Sequence, residues 1–248
     1  DGWRRRAMRE NSLICDLIYN LRDSPDEWRR IIEEKNIKIK QEENLCMFNY
    51  GIDCDFSDPV VREARGIIID LSNCHVVCRA FDKFFNVQES YAADIDWSSA
   101  IVQEKIDGSI IKCWWYNDGW RWSTNGCINA ENANCTTGGN FLELINKADN
   151  YSKIIYELGQ DERYAEFTWI FELVSPYNQI VIKYPRTILY QIGCRNNVTG
   201  EECNWRLIDE KPEEYKLRTL NECLVAVNKL NQSDSVTNEG LADRKSVV

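Results

Sequence analysis

Apolar and polar positions along this chain predict short paired strands separated by helices. Residues 66–71 and 75–80 are apolar runs on either side of Ser72-Asn73, which predicts a hairpin. Ser109–Tyr116 and residues 120–124 predict a second hairpin, joined by the turn sequence Asn117-Asp118-Gly119. Strand character returns at 168–174, 179–184 and 187–193, with breaks at Ser175-Pro176 and Pro185. Residues 141–147 and 152–158 read as helices, and Leu217, Leu220, Leu224, Val227 and Leu230 share one face of a helix over 217–230. Ser24-Pro25-Asp26-Glu27 is a capping box with proline at the first helical position, so a helix is expected over 25–35. Antiparallel pairs interleaved with helices predict an α+β fold and not a doubly wound parallel sheet.

Composition supports a folded chain. Hydrophobic residues make up 44% and aromatic residues 11% of the 248 positions, too many for a disordered polymer. No stretch approaches the run of about 18 apolar residues that a membrane helix needs. A net charge of −10 opposes a polyanionic partner at long range. A local basic pocket can nevertheless sit on an acidic protein, and the acidic pair Glu201-Glu202 and segment 209–214 can lie away from it. The 11 cysteines form no paired Cys-x-x-Cys knuckles. Cys74, His75 and Cys78 sit on a strand-like run whose neighbouring side chains point to opposite faces, so core-packed reduced thiols are expected there and not zinc. The tryptophans at 114, 115, 120 and 122 are read as core and cross-strand packing, Phe84 as core, and Arg62 as a solvated surface charge.

The sharpest chemical signal is Glu104-Lys105-Ile106-Asp107-Gly108-Ser109. A lysine stands just before a strand, followed by a glycine that permits a tight turn and close backbone approach. Such a lysine becomes a covalent nucleophile when its amine is neutral. Around it in the sequence lie Arg65-Gly66, Lys83-Phe84-Phe85-Asn86, Phe171-Glu172, Asn178-Gln179-Ile180-Val181 and Glu239-Gly240. Cations, carboxylates and aromatic surfaces are what nucleotidyl transfer needs for triphosphate, Mg²⁺ and base.

This ordered set resembles the RNA ligase 1 family of T-even bacteriophages, one branch of the covalent nucleotidyltransferases, over residues 45–240. The Lys-x-Asp-Gly motif is common to that superfamily, whereas Lys-Phe-Phe-Asn and Ser-Pro-x-Asn-x-Ile-Val are more specific to this branch. The resemblance implies an α+β nucleotidyltransferase (ATP-grasp-like adenylylation) domain of antiparallel sheets and helices over residues 45–248. Residues 1–44 would be its helical lead-in, and the family's C-terminal substrate domain would be absent. It implies that Lys105 takes AMP from ATP and that Arg65 and Lys83 meet its phosphates or ribose end. Tyr50 would lie near the nucleotide, Phe85 would shape its pocket, Gly108 would permit the turn and Glu172 would hold the ribose. Glu239, with Gly240, would serve the Mg²⁺ and phosphate site. AMP would pass to an RNA 5′-phosphate, which is then joined to a 3′-hydroxyl in the cytoplasm of a bacterium or phage-infected host. Two departures stand out. Asn125, before Gly126, occupies a place where the family has a cation, and no Lys-x-Lys follows Gly240. They support a second expectation, a module that binds nucleotide or RNA ends without catalysis.

Overall fold

The computed structural model describes residues 11–231, 241–243 and 246–247. Two four-stranded antiparallel sheets stack face to face, with helices outside each. The first holds β1 (Ile37–Glu42), β2 (Leu45–Tyr50), β3 (Arg65–Asp70) and β4 (His75–Cys78) in sequential order. The second contains β7 (Ser109–Tyr116), β8 (Gly119–Thr124), β9 (Phe167–Val174) and β10 (Ile188–Asn196), in the order β10-β9-β7-β8. A third sheet is built from short strands: β5 (Phe85–Asn86), β6 (Val102–Glu104), β11 (Glu214–Tyr215), β12 (Leu241–Asp243) and β13 (Ser246–Val247). Within this third sheet β13 runs parallel to β5. The chain is α+β as expected.

Alternation along the strands sets the layers. Ile67 and Ile69 of β3 pack towards α1 (Leu13–Asn20), α2 (Pro25–Glu34) and α3 (Pro59–Glu63), while Ile68 joins Met47, Cys78, Trp114 and Ile128 between the two large sheets. Ile111 and Cys113 of β7 pack the other way, onto α4 (Phe141–Asn146) and α5 (Tyr151–Leu158). The last helix, α6 (Leu220–Asn231), covers the third sheet through Cys223, Ala226 and Val227.

Local chemistry explains several boundaries. Ser12 accepts from the Cys15 amide at 3.1 Å and caps α1. The Ser24 side chain makes no such bond, so α2 starts on the fixed φ of Pro25 with Asp26 and Glu27 in its first turn, and the capping-box reading of Ser24 is corrected. The β7–β8 turn is the two residues Asn117 and Asp118, both at positive φ (47° and 61°), and Gly119 already belongs to β8. Residues 179–184 do not form the expected strand. Leu217 precedes α6. Eight of the 11 free cysteines are buried, in line with core-packed thiols. Trp114 and Trp122 are buried as well, whereas Trp115 and Trp120 pair edge to face nearer the surface. No helix among the described residues is long and apolar enough to cross a membrane.

Buried polar ties hold the two large sheets together. Thr168 of β9 donates to Asn197 Oδ1 at 2.6 Å and accepts from the Arg79 amide at 3.0 Å, and Asn197 Nδ2 reaches the Val77 carbonyl at 3.0 Å. Replacing Asn197 by alanine removes the acceptor of the buried Thr168 hydroxyl and the side-chain donor to the Val77 carbonyl. Asn197→Ala is expected to lower unfolding free energy by about 1–3 kcal/mol, read from the midpoint of urea denaturation.

Candidate active site

The 105–108 loop connects β6 to β7, and residues far along the chain clasp it. Asp107 is buried, and its Oδ2 accepts from the backbone amides of Val181 (2.7 Å) and Ile182. The Asp107 amide donates to Tyr184 Oη at 3.3 Å. Those bonds explain why 179–184 is not a strand: its amides turn inward to a carboxylate and do not ladder. Ser109 accepts from Asn178 Nδ2 at 2.9 Å, and the buried Asn178 takes the Thr136 hydroxyl on Oδ1 at 3.1 Å. Gly108 lies flat against β9. A Cβ there would overlap the Leu173 carbonyl oxygen and sit 2.9 Å from its carbon and 3.1 Å from Glu172 Cγ. Its φ is not positive, so close approach, and not an unusual backbone angle, excludes a side chain.

Glu172 links this loop to the cations. Arg65 begins β3 beside a bulge: Phe48 faces Ile67 and Asn49 faces Arg65, leaving Gly66 unpaired at φ +77°. The Arg65 guanidinium stacks on Phe84 at 4.6 Å and donates to the Asp82 carbonyl at 3.3 Å. Burial lowers its pKa, and the neighbouring Tyr50, Glu172 and Asp82 pull the other way. Phe84 is therefore not simple core; it is half-buried and forms the platform under Arg65.

The Lys83 ammonium donates to the Phe84 carbonyl at 2.7 Å and lies over the rings of Phe85 (4.5 Å) and Phe56 (5.7 Å). Burial lowers its pKa, Glu89 opposes this, and Arg65 adds to it. Tyr50, Phe56, Phe85 and Tyr91 form a continuous aromatic wall with centroid spacings of 5.1, 5.4 and 5.7 Å. Phe56 and Tyr91 carried no signal in the sequence, since only the fold brings them to Phe85.

Lys105 is half-buried on the loop. Burial and Glu213 raise the pKa of the preceding Glu104, and burial pushes the Tyr184 phenol up to about 12. Glu239 and Gly240 lie outside the described residues. The strand that follows them, β12, pairs with β6 and sets Leu241 opposite Glu104. Among the described residues no group of three or more His, Cys, Asp or Glu side chains could hold a metal ion, Cys74-His75-Cys78 included. The Asn125 side-chain oxygen is buried without a hydrogen-bond partner. Gly108→Ala would force the loop away from β9, and overpacking of this kind costs about 1–3 kcal/mol. A clear fall in melting temperature is the expected outcome, whereas Gly126→Ala, which meets open space, leaves it near wild type.

The RNA ligase family model matches residues 63–242. A protein of Autographa californica nuclear polyhedrosis virus named as a bifunctional polynucleotide kinase/RNA ligase is 33% identical over 215 residues, covering 79% of this chain and 31% of that protein. An RNA ligase of Rhodothermus phage RM378 is 25% identical over 233 residues, covering 81% of this chain and 51% of the phage protein. The chain thus spans about half or less of these relatives. Among solved structures, an archaeal ATP-dependent RNA ligase superposes with a TM-score of 0.57 at 13% identity, over 94% of this chain and 62% of the other. That similarity concerns the fold. With the family model covering most of its length, and with the motif segments gathered around one loop, the chain belongs to the RNA ligase family.

Proposed function

We propose that this chain is the adenylyl-transfer unit of an ATP-dependent RNA ligase in which Lys105 carries AMP from ATP to an RNA 5′-phosphate. The observation that supports it most is the clasp on the 105–108 loop, which anchors the residues around Lys105 to Glu172, Leu173, Val181 and Ile182. A nucleophilic lysine needs a fixed approach to its electrophile, and a loop held at several points supplies it. The residues present fit a nucleotide. Arg65 and Lys83 are partly desolvated cations suited to phosphate oxygens, the Tyr50–Phe56–Phe85–Tyr91 wall suits a base or ribose, and Glu172 suits a ribose hydroxyl.

The step is a substitution at the α-phosphorus. The lone pair of neutral Lys105 Nζ forms the N–P bond, the bond from the α-phosphorus to the bridging oxygen breaks, and pyrophosphate leaves with that electron pair. One ammonium proton is lost to solvent before attack, and a second leaves the nitrogen as the N–P bond forms, giving the phosphoramidate. An RNA 5′-phosphate then takes AMP from the lysine, and a 3′-hydroxyl displaces AMP to join the strands. Mg²⁺ bound to the ATP phosphates would neutralise charge on the leaving pyrophosphate, with Glu239 the residue proposed to meet it. The setting proposed for this reaction is the cytoplasm of a bacterium or phage-infected host, and residues 45–248 are proposed as the adenylylation domain.

One observation favours a second reading, a module that binds nucleotide or RNA ends without catalysing. Asn125, with its unpartnered side-chain oxygen, stands where a cation was expected. One experiment separates the two. Intact mass of the protein incubated with ATP and Mg²⁺ is expected to rise by one AMP, and Lys105→Ala is expected to abolish the gain while retaining ATP binding. Binding of ATP to the unaltered chain without any adduct would favour the second reading, and an adduct that survives Lys105→Ala would remove Lys105 from its role.

A further inference from the structure

A fully buried lysine stands behind the site and no motif called attention to it. Lys112 lies in β7, three residues past Ser109, on the face turned towards the first sheet, and its side chain is 0% exposed. Its Nζ donates to the Gly66 carbonyl, across the interface between the two large sheets. No carboxylate pairs with it among the described residues. Burial lowers its pKa, Arg65 adds to that effect and Cys78 opposes it. A buried cation without a counter-ion is costly, so packing alone would be better served by an apolar side chain of similar length.

The location gives the lysine a purpose. Gly66 is the bulged residue immediately after Arg65, and no residue of β2 stands opposite it in the ladder. A Cβ built on Gly66 would sit 2.7 Å from Lys112 Nζ and 2.8 Å from the Asn125 carbonyl oxygen, so the lysine tip fills the space that a side chain at 66 would take. Gly66 has φ +77°, which other residues adopt at a cost. The bulge that aims Arg65 is thus closed by one bond from the strand that continues the 105–108 loop. We propose that Lys112 is a positioning residue that pins the Gly66 bulge and so holds Arg65 at a fixed offset from the Lys105 loop. This rests on the reading that Arg65 meets ATP.

The test is a double-mutant cycle on self-adenylylation, with initial rates measured against ATP concentration for wild type, Lys112→Met, Arg65→Ala and the double variant. Melting temperature is recorded for each. Lys112→Met is expected to raise KM for ATP about tenfold, more than it lowers kcat, with an unchanged or higher melting temperature. In the Arg65→Ala background the same substitution is expected to add little. A wild-type KM in Lys112→Met, or losses that multiply in the double variant, would overturn the inference. If Lys112→Met fails to fold, Gly66→Ala attacks the same pin from β3 and must show the same non-additivity with Arg65→Ala. An Arg65→Ala variant with unchanged KM for ATP would instead overturn the role of Arg65, and this inference with it.

Discussion

The carboxylate of Asp107 is the interaction on which the arrangement of the site depends. It is buried, its Oδ2 accepts two consecutive backbone amides, and those amides lie more than seventy residues along the chain. Hydrogen bonds to an ionised acceptor are roughly twice as strong as neutral ones, and inside a protein no water stands ready to replace a lost one. Gly108 and Ser109 extend the same contact to β9 and to Asn178. The aspartate, glycine and serine of the motif therefore hold a scaffold in place, with Lys105 at the head of the loop directly after β6.

The cations depend on a different constraint, the aromatic surfaces they lie on. Arg65 and Lys83 lie where apolar and aromatic groups thin the water around them, which depresses the pKa of each. The same loss of solvent strengthens their attraction for an anion, because the effective dielectric is lower there than at an open surface. A chain with net charge −10 can thus attract an anion locally without an extended basic surface. The acidic excess governs the long-range field, and a few desolvated groups govern contact.

Much of this was legible in the sequence where the signal was local. The two hairpins, α4, α5 and β9 followed from short-range periodicity and turn residues, and the Asn117-Asp118 turn needed only backbone preferences that neighbours encode. The motif residues Tyr50, Arg65, Lys83, Phe85, Gly108 and Glu172 were also legible, and contacts connect them in one region. Illegible parts depend on partners distant in the chain. Residues 179–184 read as a strand because their apolar character was visible and the Asp107 carboxylate that captures their amides was not. Phe84 read as core because nothing local says that a guanidinium will lie on it. Phe56, Tyr91 and Lys112 have no motif around them, and their positions follow from contacts that only the fold makes.

The third sheet has a consequence for how the molecule is made. β5, which bears Phe85, and β6, which leads to Lys105, are not hydrogen-bonded to each other; β12 and β13 lie between them. Translation delivers those two bridging strands after every strand of both large sheets. The aromatic wall and the lysine loop therefore lie on strands that are joined only through 241–243 and 246–247. A ribosome stalled short of them would present a chain that holds every strand of both large sheets but lacks the strands that join the aromatic wall to the lysine loop.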